Sequence, residues 1–339
     1  MKKDIYILGI ESSCDETSVA VVKNGREVLS NVIASQIDIH RLYGGVVPEI
    51  ASRNHVKNID VVLQESLQQA GKTLEDIDAI AVTYGAGLLG ALIVGVSFAK
   101  ALSYATGKPL LAINHIQGHI AANYIAHPTL KPPFMCLLVS GGHTALLHVK
   151  DYHTREKIGS TTDDSVGECF DKVARECGLC YPGGPEVEKQ AKMGTACITF
   201  VKKPHEKLKD FNFSYSGLKT AVINYIHNAK QRNEVISVPN ICASFQKEAL
   251  EQLVFKAVQA CVKYNEKTLI IAGGVSANQT LRSMCEEAAK PYGIHVYYPP
   301  LKLCTDNAAM IASQGYYSFI HGKDIADITL TPSSTIPLE

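Results

Sequence analysis

Apolar and polar positions alternate in blocks that predict short elements. Ile5 to Ile10 is an apolar run expected to form a strand, followed by the polar turn Glu11-Ser12-Ser13-Cys14-Asp15-Glu16-Thr17 and a second apolar strand from Val19 to Val22. Asn24-Gly25 between apolar runs predicts a two-residue reversal, so three antiparallel strands open the chain. A helix is expected from about Glu49 to Ala70, closed by Gly71 and followed by the capping-box pattern Thr73-Leu74-Glu75-Asp76. Strand Ala79 to Tyr84, helix Leu88 to Ala105 and strand Leu110 to Asn114 complete the first half.

Lys131-Pro132-Pro133 interrupts the chain, and a similar opening then returns: strand Phe134 to Val139, turn Ser140-Gly141-Gly142-His143-Thr144, strand Ala145 to Val149. Strand Thr268 to Ala272, helix Asn278 to Lys290 and strand His295 to Tyr298 make the second half α/β as well. Two α/β halves that each begin with a strand, a small-residue turn and a strand imply an internal duplication: two lobes with a central cleft between their turns.

Composition narrows the function classes. The 339 residues are 46% hydrophobic and 19% charged, which suits a globular enzyme of two lobes and excludes disorder. Lys plus Arg equals Asp plus Glu at 33 each, so no global field recruits a polyanion, and any nucleic acid must meet a local patch or a partner's surface. Ten irregularly spaced cysteines follow an N-terminus without a signal-peptide core, which predicts reduced thiols and a cytoplasmic protein. The uncharged stretch from Ala79 to Ala99 is nominally long enough to span a membrane, but Thr83, Tyr84, Gly85 and Gly87 break it. A strand, a glycine turn and a buried helix account for it better, and no membrane association is expected.

His115-Ile116-Gln117-Gly118-His119 places two imidazoles at i and i+4, on one helix face and close enough to share an ion. Ile116 occupies the place of the zinc-protease glutamate, which argues against a metallopeptidase. No acidic residue occurs from Ala79 to Lys150, so a carboxylate ligand must come from far along the chain. Asp306, in Cys304-Thr305-Asp306-Asn307 at the start of an apolar helix, is the best candidate. Two imidazoles and one carboxylate leave coordination positions open, as suits iron or zinc acting on a substrate oxygen.

Gly85-Ala86-Gly87-Leu88-Leu89-Gly90 matches the dinucleotide fingerprint literally, but the ribose-binding acid it requires is missing. Close helix packing and backbone approach are sufficient reasons for its glycines. Ser140-Gly141-Gly142, Pro182-Gly183-Gly184-Pro185 and Gly273-Gly274-Val275-Ser276-Ala277-Asn278 are better placed to bring backbone to a nucleotide. Cys177 and Cys180 have metal or redox spacing but no second pair, and read as inert helix-end thiols. Lys202, Lys203, Lys207, Lys209 and Lys219 interleave with Phe211, Phe213 and Tyr215, a stretch suited either to RNA contact or to a solvated surface.

From about Ile5 to Ala312 these segments together resemble the bacterial-type tRNA threonylcarbamoyladenosine transferase family of the actin-like ATPase superfamily. The matching strings include Gly9 to Thr17, Tyr43 to Arg53, Asn114 to His119, Leu138 to Thr144, Phe170 to Ala174, Tyr181 to Pro185, Ser216 to Thr220, Gly273 to Asn278 and Cys304 to Ala309. The resemblance implies that His115, His119 and Asp306 bind one divalent ion, iron or zinc. It also implies that Leu138, Val139, Ser140, Gly141, Gly142, Asp171, Gly184, Glu188 and Asn278 contact threonylcarbamoyl-AMP. Ala86, Cys169 and Glu188 stand where many members carry proline, alanine and aspartate, which makes Glu188 the least secure contact. Two actin-like (ASKHA) lobes follow, over residues 1–130 and 131–306, with a C-terminal helix of about 307–339 returning to the first.

The implied reaction moves the threonylcarbamoyl group from its adenylate to the exocyclic amine of the adenosine 3′ of the anticodon in tRNAs reading codons that begin with A, releasing AMP. No general base is identified; Glu11 and Asp15 in the first turn are the candidates. The implied partners are tRNA, a shorter actin-fold paralogue of the TsaB kind and a small TsaE-like ATPase, with a capacity to bind ATP or ADP. An ATP-dependent small-molecule kinase of the same superfamily and a metallopeptidase are the alternatives.

Overall fold

The computed structural model describes residues 4–201 and 210–338. In chain order the strands and helices are β1 (Tyr6–Glu11), β2 (Glu16–Lys23), β3 (Glu27–Ser35), α1 (Ile37–Arg41), α2 (Pro48–Ala70), β4 (Ala79–Gly85), α3 (Leu89–Thr106), β5 (Leu110–Asn114) and α4 (His115–Ala126). They continue as β6 (Phe134–Val139), β7 (Thr144–Val149), β8 (Arg155–Ser160), α5 (Val166–Glu176), α6 (Gly183–Ala191), α7 (Ser216–Gln231) and α8 (Val238–Tyr264). The last are β9 (Thr268–Ala272), α9 (Gln279–Ala289), β10 (His295–Tyr297), α10 (Ala308–His321) and β11 (Ile325–Ala326).

One compact unit takes the described residues up to Pro132, Asp151–Thr154 and those from Pro299 onward. Its sheet runs β11-β5-β4-β1-β2-β3, with β1, β4 and β5 parallel and β2 antiparallel to both β1 and β3. The reversal after β2 has Asn24 at φ 52° and Gly25 at φ 74°, the left-handed pair of a tight hairpin turn. A side chain at Gly25 would also strike the Tyr316 ring. The helix α2 ends at Gly71, which adopts φ 61° as a left-handed cap, and Thr73 and Asp76 form the capping box of a short 3-10 turn. The long uncharged stretch resolves into β4, a turn and α3; α3 is long and apolar enough to cross a membrane by length and composition, and it buries Leu92, Val96 and Ala99.

The other unit, Pro133–Lys150 with the described part of Arg155–Tyr298, has a sheet ordered β10-β9-β6-β7-β8. β6, β9 and β10 are parallel, and β7 is antiparallel to β6 and β8. The order β3-β2-β1-β4-β5 of the first sheet therefore recurs as β8-β7-β6-β9-β10, which is the duplication that the repeated strand-turn-strand opening predicts. The chain rejoins the first unit at Pro299, so Asp306 belongs there and not to the segment of 131–306 in which the sequence reading placed it. Nor is 307–339 one helix. α10 stops at His321 because Gly322 takes φ 61°, and β11 then pairs with β5.

Candidate functional site

The parallel strands β1, β4 and β5 end side by side, and the chemistry-bearing side chains of the first unit gather at that end. Asn114 closes β5 and caps α4 by accepting from the Ile116 amide at 2.9 Å, so the helix begins with His115. Every residue from His115 to Tyr124 is buried. α10 packs closely on α4, since a Cβ at Gly118 would stand 2.6 Å from Ile311. Its start is pinned by the Ala308 amide donating to Ser18 Oγ at 2.9 Å and by Asn307, whose side chain accepts from the Met310 amide at 3.1 Å. Asp306 precedes that cap, where the positive helix end favours an anion.

The result brings Asp306 to two histidines that lie 191 and 187 positions earlier in the chain. Asp306 Oδ1 lies 3.5 Å from His115 Nε2 and 3.3 Å from His119 Nε2, and one ligand atom from each of the three residues falls within 4.8 Å of the others. Burial opposes a positive charge on His115, but the Asp306 and Glu11 carboxylates outweigh it and lift the ring to about 9. Burial and then the neighbouring His115 hold His119 low. His119 Nδ1 is buried with no hydrogen-bond partner among the described residues. A donor set of two imidazoles and one carboxylate, drawn together in a buried place, fits a divalent cation.

The first turn is braced from several sides. Glu11 is fully buried and accepts from the Ser13 amide at 2.5 Å and from the Thr83 hydroxyl at 2.6 Å, while its Oε2 stands 3.2 Å from His115 Nδ1. His55 on α2 hydrogen-bonds Thr17 Oγ1 at 2.8 Å and the Cys14 carbonyl at 2.9 Å. Asp15 is 8% exposed, and burial followed by Asp15 pushes the neighbouring Glu16 carboxyl up to about 10. Gly87, part of the false dinucleotide fingerprint, is explained by this turn: a Cβ there would lie 2.5 Å from the Ser13 carbonyl oxygen. Thr83 and Ser13 are not among the candidate site residues that the sequence offers; a threonine hydroxyl inside the apolar run of β4 is the available signal for the first.

In the second unit the residues singled out for the adenylate fall on the end of β6 and the turn after it, on α5 and α6, and at the start of α9. A Cβ at Gly273 would meet the Val139 carbonyl oxygen at 2.5 Å and Ser140 Cβ at 3.2 Å, and one at Gly167 would meet Gly141, so the β6–β7 turn, the start of α5 and the loop after β9 converge. Ser165 caps α5 and donates to the Gly141 carbonyl at 2.5 Å. Asp171, whose acidity burial weakens, accepts from the Gly183 amide at 2.7 Å and holds the start of α6. Glu188 Oε1 accepts from the Gln279 amide at 3.0 Å. Asn278 caps α9 through Leu281 and donates to Gln246 Oε1 at 2.9 Å. Leu138 and Val139 are wholly buried strand residues, paired within the sheet, so neither presents accessible surface to a ligand. Gly141, Gly142, Gly184 and Gly274 differ, because a Cβ at any of them would meet nothing within 4 Å.

Two sequence-level candidates change character. Phe211, Phe213 and Tyr215 are core residues, 6%, 1% and 0% exposed, and cannot serve as a stacking surface for bases. Lys219 pairs with Asp164, and Lys202, Lys203, Lys207 and Lys209 lie outside the described residues. All ten cysteines are free; Cys177 hydrogen-bonds Cys242, and Cys180 stands exposed.

Comparison with known proteins places these observations in a family. Residues 27–313 match the family described as tRNA N6-adenosine threonylcarbamoyltransferase. A relative of that name from Clostridium botulinum (strain 657 / Type Ba4) is 52% identical over 336 residues, covering 98% of each chain. Another from Clostridioides difficile (strain 630) is 53% identical over 320 residues, covering 94% of this chain and 95% of the relative. Among solved structures, full-length HypF in its phosphate- and nucleotide-bound form has a TM-score of 0.63 at 14% identity, covering 96% of this chain and 48% of HypF. Component A of the Acidaminococcus fermentans (R)-2-hydroxyglutaryl-CoA dehydratase has a TM-score of 0.56 at 14% identity, covering 93% and 98%. These two likenesses show the fold, the actin-like architecture that the family resemblance implies. With a family match over most of its length and relatives of that name over nearly all of it, the chain belongs to the tRNA N6-adenosine threonylcarbamoyltransferase family and is a transferase enzyme.

Proposed function

We propose that the protein transfers the threonylcarbamoyl group from threonylcarbamoyl-AMP to the exocyclic amine of the adenosine 3′ of the anticodon, in tRNAs reading codons that begin with A. The amine nitrogen forms a bond to the carbamoyl carbon and gives up one proton, for which Asp15 is the candidate acceptor; the bond from that carbon to the phosphate oxygen breaks, and AMP departs with the electron pair. The observation that carries the reading is the meeting of His115, His119 and Asp306 in a member of this family.

In this proposal His115, His119 and Asp306 hold one divalent ion, iron or zinc. When bound, the ion would supply a Lewis acid for the carbamoyl oxygen or an anchor for the threonyl group. The chain's own groups do the rest. The open amides around Gly141 and Gly142 receive phosphate charge, as a nest does. Asp171, Glu188 and Asn278 hold the glycine loops in place through the hydrogen bonds described above, and Gly184 leaves room for the ligand. An aromatic amine is a weak nucleophile, so holding it against the carbamoyl carbon supplies much of the rate. Asp15 stays the candidate general base, since both Glu11 oxygens are engaged within the fold.

The zero net charge supports joint binding of tRNA with other proteins, because phosphate contacts dominate such affinity. We assign a TsaB-like actin-fold paralogue and a TsaE-like small ATPase as those partners, with ATP or ADP binding in the assembly and cytoplasmic action without a membrane. Exposed apolar side chains on α2 and α3, Val56, Leu89 and Ile93, near the close approach of Gly90 to Ser52, support a protein contact there. The deciding experiment incubates the protein with threonylcarbamoyl-AMP and unmodified tRNA, with and without the partners, and measures the modified nucleoside by mass spectrometry. Modified nucleoside that depends on this chain is expected. ATP consumption with a small acceptor and no requirement for tRNA would overturn the reading in favour of a kinase.

A further inference from the structure

A general base must reach the proton it abstracts. Glu11, one of two carboxylates that sequence offered for that task, faces only the fold. It is the last residue of β1 and has no exposed surface. One oxygen accepts from the Ser13 amide; the other accepts from Thr83 at 2.6 Å and lies 3.2 Å from His115 Nδ1. Thr83 is itself fully buried on β4, and Ser13 Oγ also approaches His115 Nδ1, at 3.2 Å. The opposite nitrogen of the same ring, Nε2, is the one that points toward Asp306.

An imidazole that donates one N–H to a carboxylate keeps its other nitrogen as a lone-pair donor and gains basicity there. We propose that Glu11 is a positioning residue: it accepts the Nδ1 proton of His115 and fixes the ring so that Nε2 is presented, beside His119 and Asp306, to the divalent ion. Thr83 holds the Glu11 oxygen in place, so the brace runs from β4 through β1 to α4. It acts on one imidazole of the two, because His119 Nδ1 has no hydrogen-bond partner among the described residues. The inference rests on the proposed metal site.

Glu11→Gln is the sharp test, because it keeps the shape and reverses the polarity. If the amide oxygen stays with the Ser13 amide, the NH2 group faces His115 Nδ1. That nitrogen must then accept, and the proton moves to Nε2, where it opposes metal binding. Wild type, Glu11→Gln, Thr83→Val and His115→Ala are titrated as full chains with Co2+, read by visible absorption, and with Zn2+ against a competing chelator; thermal unfolding of the metal-free proteins runs alongside. We expect one equivalent of Co2+ in wild type, abolished by His115→Ala. We expect affinity to fall by about 10- to 100-fold in Glu11→Gln with an altered spectrum, and by less in Thr83→Val. A purely structural role would lower the unfolding midpoint but leave affinity and spectrum unchanged, and that result overturns the proposal. Should Glu11→Gln fail to fold, Thr83→Val decides, and wild-type affinity there overturns it as well. Absence of uptake by wild type would instead overturn the metal site itself.

Discussion

At the β1–β2 turn, Ser12 and Ser13 are buried, the Glu11 carboxylate is engaged at both oxygens, and even a methyl group at Gly87 would strike the Ser13 carbonyl. At the corresponding β6–β7 turn, a methyl group on Gly141 or Gly142 would meet nothing within 4 Å. The two corners occupy the same place in two sheets of the same strand order, yet one is packed with side chains and the other leaves backbone open. Duplication supplied one scaffold twice. The first copy could then become a rigid support for imidazoles and a carboxylate, and the second a surface of amides, without either task constraining the other.

Removing the side chains at the first corner should have the largest effect. His115→Ala/His119→Ala should eliminate metal uptake, measured by elemental analysis, and lower tRNA modification by a factor on the order of 100 or more, as loss of several kcal/mol of charge stabilisation requires. Full activity in metal-free double mutant protein would refute the assignment of that corner.

Equal substitutions at the two corners should then diverge. Gly87→Ala forces a contact at 2.5 Å against a backbone oxygen and should cost about 1–3 kcal/mol in denaturant unfolding, the range for overpacking. Gly142→Ala adds its methyl group to open space, so stability should stay within about 0.5 kcal/mol. Its penalty should fall on the donor, as a rise in KM of about tenfold, equivalent to about 1.4 kcal/mol. Equal stability losses at both positions would show that the second turn is as enclosed as the first.

Apart from the duplication and the choice of Asp306, what the sequence made legible was local. The i, i+4 histidines needed only helix geometry, the opening hairpin only Asn24-Gly25, and the close-packing explanation for Gly87 only the absence of a ribose-binding acid. Elements without a contrast between faces stayed hidden. The 27-residue α8 buries six consecutive residues from Ile241 to Gln246, so its pattern has little period to read. Phe211, Phe213 and Tyr215 looked like a surface stretch because lysines surround them in sequence, although all three are core. Likewise Glu11 announced a carboxylate without announcing what its two oxygens touch; Thr83 and Ser13 come to it through the fold alone.

A smaller effect should come from pH at the first corner. Burial, then Asp15 and more weakly Asp306, push the Glu16 carboxyl up to about 10 against a usual 4.5, while Ser35 donates to it and pulls the other way. The folded chain therefore keeps a proton that the unfolded chain releases. This contribution to stability is complete below about 4.5 and is lost as pH rises toward 10. Urea midpoints should fall between pH 5 and pH 9 in wild type and fall less in Glu16→Gln, which is neutral throughout. Parallel pH dependences in the two proteins would sink this account.

The smallest expected effect tests how the open corner is held. Ser165 Oγ accepts from the Glu168 amide at 3.2 Å as the cap of α5 and donates to the Gly141 carbonyl at 2.5 Å, so one hydroxyl ties the turn to a helix start. Nothing comparable to the Glu11, Thr83 and His55 bracing of the first turn is needed if the second works through backbone. Ser165→Ala should cost about 1 kcal/mol of stability, a typical cap loss. Freeing Gly141 should also weaken donor binding by about fivefold, the worth of one net hydrogen bond. The loss should appear in KM with kcat little changed if the turn binds, as proposed, the nucleotide portion that is shared by ground and transition states. A fall in kcat at constant KM would instead place Gly141 against the group being transferred, and the division of labour between the two corners would have to be redrawn.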